Sequence, residues 1–173
     1  NVTVAAQRIG GSATQGVTIT NTNVAPIGYQ EGLSAVVTAS SGAATGAGSV
    51  TNLAQGGTNG AGVQVGVNTS TAGAQAGTVT LGLASNGAGT SGLATLGLGS
   101  QTVNVTGNVY TPAVAQLNTS TISFGIVHVG DVVTARDISV TNAAGPSALN
   151  DVLLASMTVA GSGFNGGGGV GGG

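Results

Sequence analysis

Histidine, aspartate and serine are the residues of this chain whose types and spacing could support catalysis. The single histidine, His128, stands in "GIVHVGD" with Asp131 three positions later. A serine hydrolase needs a nucleophile, a base and an orienting carboxylate, and serine is abundant here. However, no "GxSxG" motif precedes a helix, which is how many such enzymes present the nucleophile. We therefore interpret His128 as a structural residue of an exposed or edge strand, and we expect no enzymatic activity.

The other residues do not have the pattern of a metal site or of a phosphate-binding loop. Metal sites need several His, Cys, Asp or Glu ligands, and the chain has no cysteine. Asp131 and Asp137 lie close in sequence, but Arg136 adjoins the latter, so we interpret this group as a surface ion pair. The glycine runs at 42–48 and 166–173 lack the Gly-Lys-Ser/Thr ending of a phosphate-binding loop. We expect no metal and no cofactor.

Charged residues are rare, which excludes some classes of partner. The chain has two basic and four acidic residues and a net charge of −2. Nucleic acid binding depends on clustered Lys and Arg, so we expect no nucleic acid partner. No run of about 18 apolar residues is present, and we expect no membrane span. The first residues, "NVTVAAQ", lack both Met and a charged-then-apolar leader, which indicates a processed form or an excerpt of a longer chain.

Alternation of apolar and polar residues, which is typical of half-buried strands, dominates the regular parts of the sequence. Val63, Val65 and Val67 fall on one face of one predicted strand, and Val79 and Leu81 on one face of another. Helix is disfavoured because Gly recurs every few residues and costs about 1 kcal/mol relative to Ala. The other predicted strands lie at 1–6, 17–20, 33–40, 48–54 and 100–110.

Stretches rich in Gly and Asn separate these strands and predict turns and loops, because both residues adopt positive φ easily. "SSGAATGAG" at 40–48, "QGGTNGAG" at 55–62 and "SNGAGTSG" at 85–92 are of this kind. About seven short strands over residues 1–111 predict an all-β fold, an immunoglobulin-like β-sandwich.

An internal repeat divides the chain. "RIGGSATQGVTITNTN" aligns with "HVGDVVTARDISVTNAA", so that Gly10 corresponds to Gly130, 120 positions later, and Asn21 to Asn142 after a one-residue gap. We expect one nearly complete domain followed by a partial second copy. The predicted divisions are a sandwich lacking its opening strand at 1–111, a linker at 112–116, the opening strands of a second copy at 117–165, and a glycine-rich tail or connector at 166–173.

The second copy carries a family resemblance. Phe124-Gly125, Val127, Val129-Gly130 and the run from Ile138 to Asn142 resemble the "FG-x-V-x-VG … V-x-V-T-N" pattern of hydin-type ASH domains and of bacterial choice-of-anchor D surface proteins. The resemblance implies immunoglobulin-like sandwiches in tandem, export to the cell surface or the extracellular space, and a scaffolding or adhesive role. It supplies no catalytic residue.

The predicted strands lack the residues that normally protect sheet edges, which suggests pairing between chains. Soluble sandwiches discourage edge pairing with Lys, Pro and inward charges, and this chain has no Lys and three Pro. We expect a subunit or repeat segment of an extracellular bacterial filament or surface fibre, whose partners are copies of itself, completed by strand donation between neighbours. The predicted donor is the N-terminal strand with Val2 and Val4, or the "TISF" strand with Ile122 and Phe124. The alternative is an adhesin whose loops bind a cell-surface ligand or glycan.

Overall fold

The computed structural model describes residues 1–147 and 149–166 and shows an all-β protein. The chain divides into two units, Asn1–Tyr110 and Thr111 onward, which are described separately. The predicted tail at 166–173 lies outside the described residues except for Gly166. Among the described residues, no helix is long and apolar enough to cross a membrane.

The first unit contains ten strands within the described residues. The long strands pair with their neighbours in antiparallel fashion, in the order β1-β10-β9-β5-β6-β8-β3. The short strands β1 and β2 differ, because both pair in parallel with β10. The strands are β1 Val2–Thr3, β2 Gln7–Arg8, β3 Thr14–Gly16, β4 Ile19–Thr20, β5 Gly32–Gly42, β6 Ala44–Leu53, β7 Thr58–Asn59, β8 Val63–Val67, β9 Gly73–Asn86 and β10 Leu96–Tyr110.

Strand β6 joins two layers of this sheet system. Its second half pairs with β5 and its first half pairs with β8. Gly48 marks the change of partner with a φ of +100°. Gly46 lies directly against Val79 of β9, because a Cβ placed on it would be 2.6 Å from Val79 Cγ1. The two layers therefore pack face to face, in the manner of a β-sandwich.

The prediction of a loop at 40–48 is wrong. These residues are the ends of β5 and β6 around a tight turn at Gly42, whose φ is +62°. The glycines at 46 and 48 serve close packing and a bend inside a strand, and a composition rich in glycine does not distinguish these uses from a loop.

The core follows the predicted alternation. Val63, Val65, Val79, Val105 and Val109 are each 0% exposed. They come from three strands. Val63 and Val65 are two positions apart on β8, as are Val79 and the 3% exposed Leu81 on β9, which confirms the predicted buried faces of these two strands. The remaining buried apolar residues are Val4, Ile19, Ala35, Ala44, Val50, Val67 and Leu81.

The second unit contains little regular structure in its described part. Strands β11, Ala115–Leu117, and β12, Val140–Asn142, form one antiparallel pair. Residues 115 and 116, expected in a linker, thus belong to β11. Between residues 118 and 139, all of them described, the chain has no strand. The opening strands expected over 117–165 are represented by β12 and the last residue of β11.

Candidate assembly site

The N-terminal strand, one of the two predicted donor elements, is paired within its own chain. Val2 lies beside Val105 of β10, and the backbone N–H of Val4 donates to the carbonyl of Thr106 at 2.8 Å. Val4 is 3% exposed and belongs to the core. Donating this strand would cost the chain part of its own core. We therefore do not carry Val2 and Val4 forward as assembly residues.

The other predicted element is the TISFGIV segment, residues 121–127. Within the part of the chain that the structure describes, it belongs to no strand pair. Apolar side chains alternate along it, with Ile122 half-buried, Phe124 39% exposed and Ile126 93% exposed. The segment thus has the residue pattern of a strand without a sheet to bury its apolar face. Gly125, with a φ of +70°, interrupts the extended backbone.

A turn of the same type follows the N-terminal strand and the TISFGIV segment. In the turns at 8–11 and 128–131, the carbonyl of the first residue accepts a hydrogen bond from the backbone N–H of the fourth, at 2.9 Å and 3.1 Å respectively. The third residue is Gly10 with φ +77° in one turn and Gly130 with φ +97° in the other. A positive φ at this position is the mark of a type II turn, and glycine adopts it without strain.

Two asparagines make matching contacts after these turns. The side-chain Oδ1 of Asn21 accepts the N–H of the residue two positions later at 3.2 Å, and that of Asn142 does the same at 3.1 Å. The amide of Asn21 donates to the carbonyl of Glu31 at 3.2 Å. The amide of Asn142 donates to the carbonyl of Asp151 at 3.1 Å. Each asparagine side chain therefore links its own segment to a backbone carbonyl nine or ten residues further along the chain.

His128 and Asp131 contact each other, as their spacing suggests, but at an exposed turn. Asp131 Oδ2 accepts the backbone N–H of His128 at 2.7 Å and lies 3.4 Å from its Nδ1. The histidine side chain is 84% exposed. The carboxylate thus holds the 128–131 turn together. Among the described residues, no group of three or more His, Asp or Glu side chains could hold a metal ion.

Glu31 makes contacts that the sequence did not predict. Its Oε2 accepts the hydroxyl of Ser85 at 2.5 Å, and its Oε1 accepts the hydroxyl of Ser91. Both bonds lower the pKa of Glu31 because they stabilise the ionised carboxylate, and the bond from Ser85 has the larger effect. Both serines lie more than 50 positions away, so no local pattern indicated the contacts.

The described geometry defines an all-β protein with one sandwich-like unit and one unit that leaves an apolar strand pattern exposed. Comparisons with protein-family models, with curated proteins and with solved structures find no match to this chain.

Proposed function

We propose that this chain is a structural subunit or repeat segment of an extracellular bacterial filament or surface fibre, assembled by β-strand sharing between neighbouring copies. The observation that carries the proposal is the TISFGIV segment, an alternating apolar strand pattern with no sheet partner among the described residues. An added strand gains main-chain hydrogen bonds at a sheet edge and buries its alternate side chains in the acceptor. Contacts of this kind between different surfaces of identical chains do not close, and they produce filaments.

The proposal includes two copies of one immunoglobulin-like repeat. The paired turns at Gly10 and Gly130 support it, as do the paired hydrogen bonds of Asn21 and Asn142. Strands that are neighbours in the sheet but distant in sequence, such as β5 with β9 and β6 with β8, support the crossed connections of such sandwiches. The second copy has matching turns but fewer strands in its described part, so a neighbour would supply what it lacks.

Imaging of the purified chain by negative-stain electron microscopy tests the proposal. We expect uniform fibres from the wild type and none from Phe124→Asp, because a buried carboxylate without a partner is expensive. Ile27→Asp is the matched control. Ile27 is 93% exposed in a loop of the first unit and lies outside the proposed contact, so this variant should still form fibres.

Two results would count against strand sharing through the TISFGIV segment. Fibres formed equally well by Phe124→Asp would remove that segment from the assembly. Discrete particles from the wild type, together with retention on a glycan or cell-surface preparation, would favour the alternative, an adhesin module.

A further inference from the structure

We infer that the acceptor for the TISFGIV segment is the first half of β10, residues 96–103, on a second copy of this chain. We call these residues the β10 open edge. The inference rests on the proposed strand-sharing function and adds the surface that receives the strand. Four features carry it: the direction of the backbone groups, the space along the inner face, the lack of charge, and the equivalence of the segment with β1.

The backbone of the β10 open edge has hydrogen-bonding groups that point away from β9. The carbonyl of Thr106 accepts the N–H of Val4, which directly follows β1, so the peptide groups of Thr106 face that side of β10. Successive residues of a strand alternate in direction, so Thr102 and Ser100 face the same side as Thr106. Strand β1 begins to pair only at Val105, and among the described residues no strand pairs with residues 96–103 on this side.

The inner face beside this edge has room for apolar side chains. Val103 and Val105 point towards the core, and Gln101 and Gly99 continue the same face beyond it. A Cβ added at Gly97 or Gly99 would meet nothing within 4 Å. A large side chain of an added strand, such as that of Phe124, would therefore find open space over these glycines. Leu96 and Leu98, at 63% and 53% exposed, would be covered by the same strand.

Neither strand carries the charges or prolines that normally prevent edge pairing. Residues 96–103 read "LGLGSQTV" and residues 121–127 read "TISFGIV", without a charge or a proline in either. Natural sheets protect their edges with charged residues, prolines or bulges. The β10 open edge has one register shift, between Gly97 and Gly99, which leaves a regular stretch from Ser100 to Val103.

The internal repeat indicates why the TISFGIV segment could pair with β10. The 120-residue spacing that relates Gly10 to Gly130 also aligns Ile122 with Val2 and Phe124 with Val4 in the sequence. In the first unit this strand, β1, pairs in parallel with the second half of β10. We therefore expect the TISFGIV segment to pair in parallel with the free half, ahead of the position that β1 occupies.

Disulfide trapping between two single-cysteine variants tests the inference, since the wild type has no cysteine. In the parallel register that sets Phe124 beside Gly99, Val127 lies beside Thr102, so we would mix Thr102→Cys with Val127→Cys under assembly conditions, oxidise the mixture and measure the covalent dimer. Neighbouring residues on paired strands lie within the distance that a disulfide can bridge. The control pair is Thr38→Cys with Val127→Cys, because Thr38 is exposed on β5, which is not at this edge. We expect at least a fivefold excess of the first dimer over the second.

The outcomes separate the inference from the function on which it rests. Fibres without that excess would overturn the acceptor edge and leave strand sharing intact. Wild-type protein that forms no fibres would overturn both. A second pair of variants gives an independent check: Thr102→Pro removes an edge N–H and should abolish fibres, whereas Thr102→Ala keeps it and should not. Unchanged thermal midpoints for both monomeric variants would show that the first unit remains folded. Fibres from Thr102→Pro would contradict the assignment of the β10 open edge as the acceptor.

Discussion

Asn21 in the first unit and Asn142 in the second make the same pair of hydrogen bonds, yet only one of them is buried. Each accepts the N–H two residues later, at 3.2 Å and 3.1 Å, and each donates to a carbonyl nine or ten positions on. Asn21 is 6% exposed and also bonds to Leu53 at the end of β6 and to the backbone of Gly56 and Gly57, whereas Asn142 is exposed. The hydrogen bonds around the two asparagines are thus alike, but those of Asn142 are open to water.

Alanine substitutions at these two positions should therefore differ in effect. Asn21→Ala leaves the carbonyls of Glu31 and Leu53 without their donor in a buried place, and we expect a loss of about 2 to 4 kcal/mol in the free energy of unfolding. Asn142→Ala should cost below about 1 kcal/mol in the monomer, because water replaces the lost bonds. Urea denaturation of both variants measures the difference, and equal losses would contradict it.

Gly46 should not tolerate a side chain. An added Cβ would lie 2.6 Å from Val79 Cγ1, between the two layers, so Gly46→Ala should destabilise the first unit by about 1 to 3 kcal/mol. Gly97→Ala is the control, since its Cβ would meet nothing within 4 Å. Thermal unfolding monitored by circular dichroism should show a lower midpoint for Gly46→Ala alone. A midpoint equal to that of the wild type would mean that the layers are not in contact there.

The hydrogen bonds of Glu31 predict a pH dependence. Because the folded state lowers the pKa of Glu31, its contribution to stability is present above the pKa of the unfolded chain and disappears as the pH falls through the lower, folded value. The urea midpoint of the wild type should therefore fall more than that of Glu31→Gln between about pH 6 and pH 3. The two proteins should converge in stability at the acid end. A constant difference between them at every pH would show that Ser85 and Ser91 do not favour the carboxylate.

Local patterns predicted those parts of the fold that depend on neighbours in sequence. Val63 and Val65 are buried because the side chains of a strand alternate, and the Gly-rich residues 87–92, within a predicted turn, connect β9 to β10. The contact of Gly46 with Val79, the bonds from Ser85 and Ser91 to Glu31, and the unpaired half of β10 depend on which strands become neighbours. That topology is a property of the whole chain, so a reading of short windows could not supply it.

The sequence left two candidates for the proposed donor strand. Val2 and Val4 show the same alternation as Ile122 and Phe124, and nothing local distinguishes a strand that finds its partner in its own chain from one that does not. The parallel pairing of β1 with β10 made that distinction. It also placed the free half of β10 beside a strand that the TISFGIV segment resembles.

Sedimentation equilibrium of the purified chain over a wide concentration range tests strand sharing most directly. The account predicts a mass that starts at 16.0 kDa at low concentration and rises steadily without reaching a fixed multiple, whereas Phe124→Asp stays at 16.0 kDa throughout. A wild-type chain that remains at 16.0 kDa up to the highest concentration would contradict it.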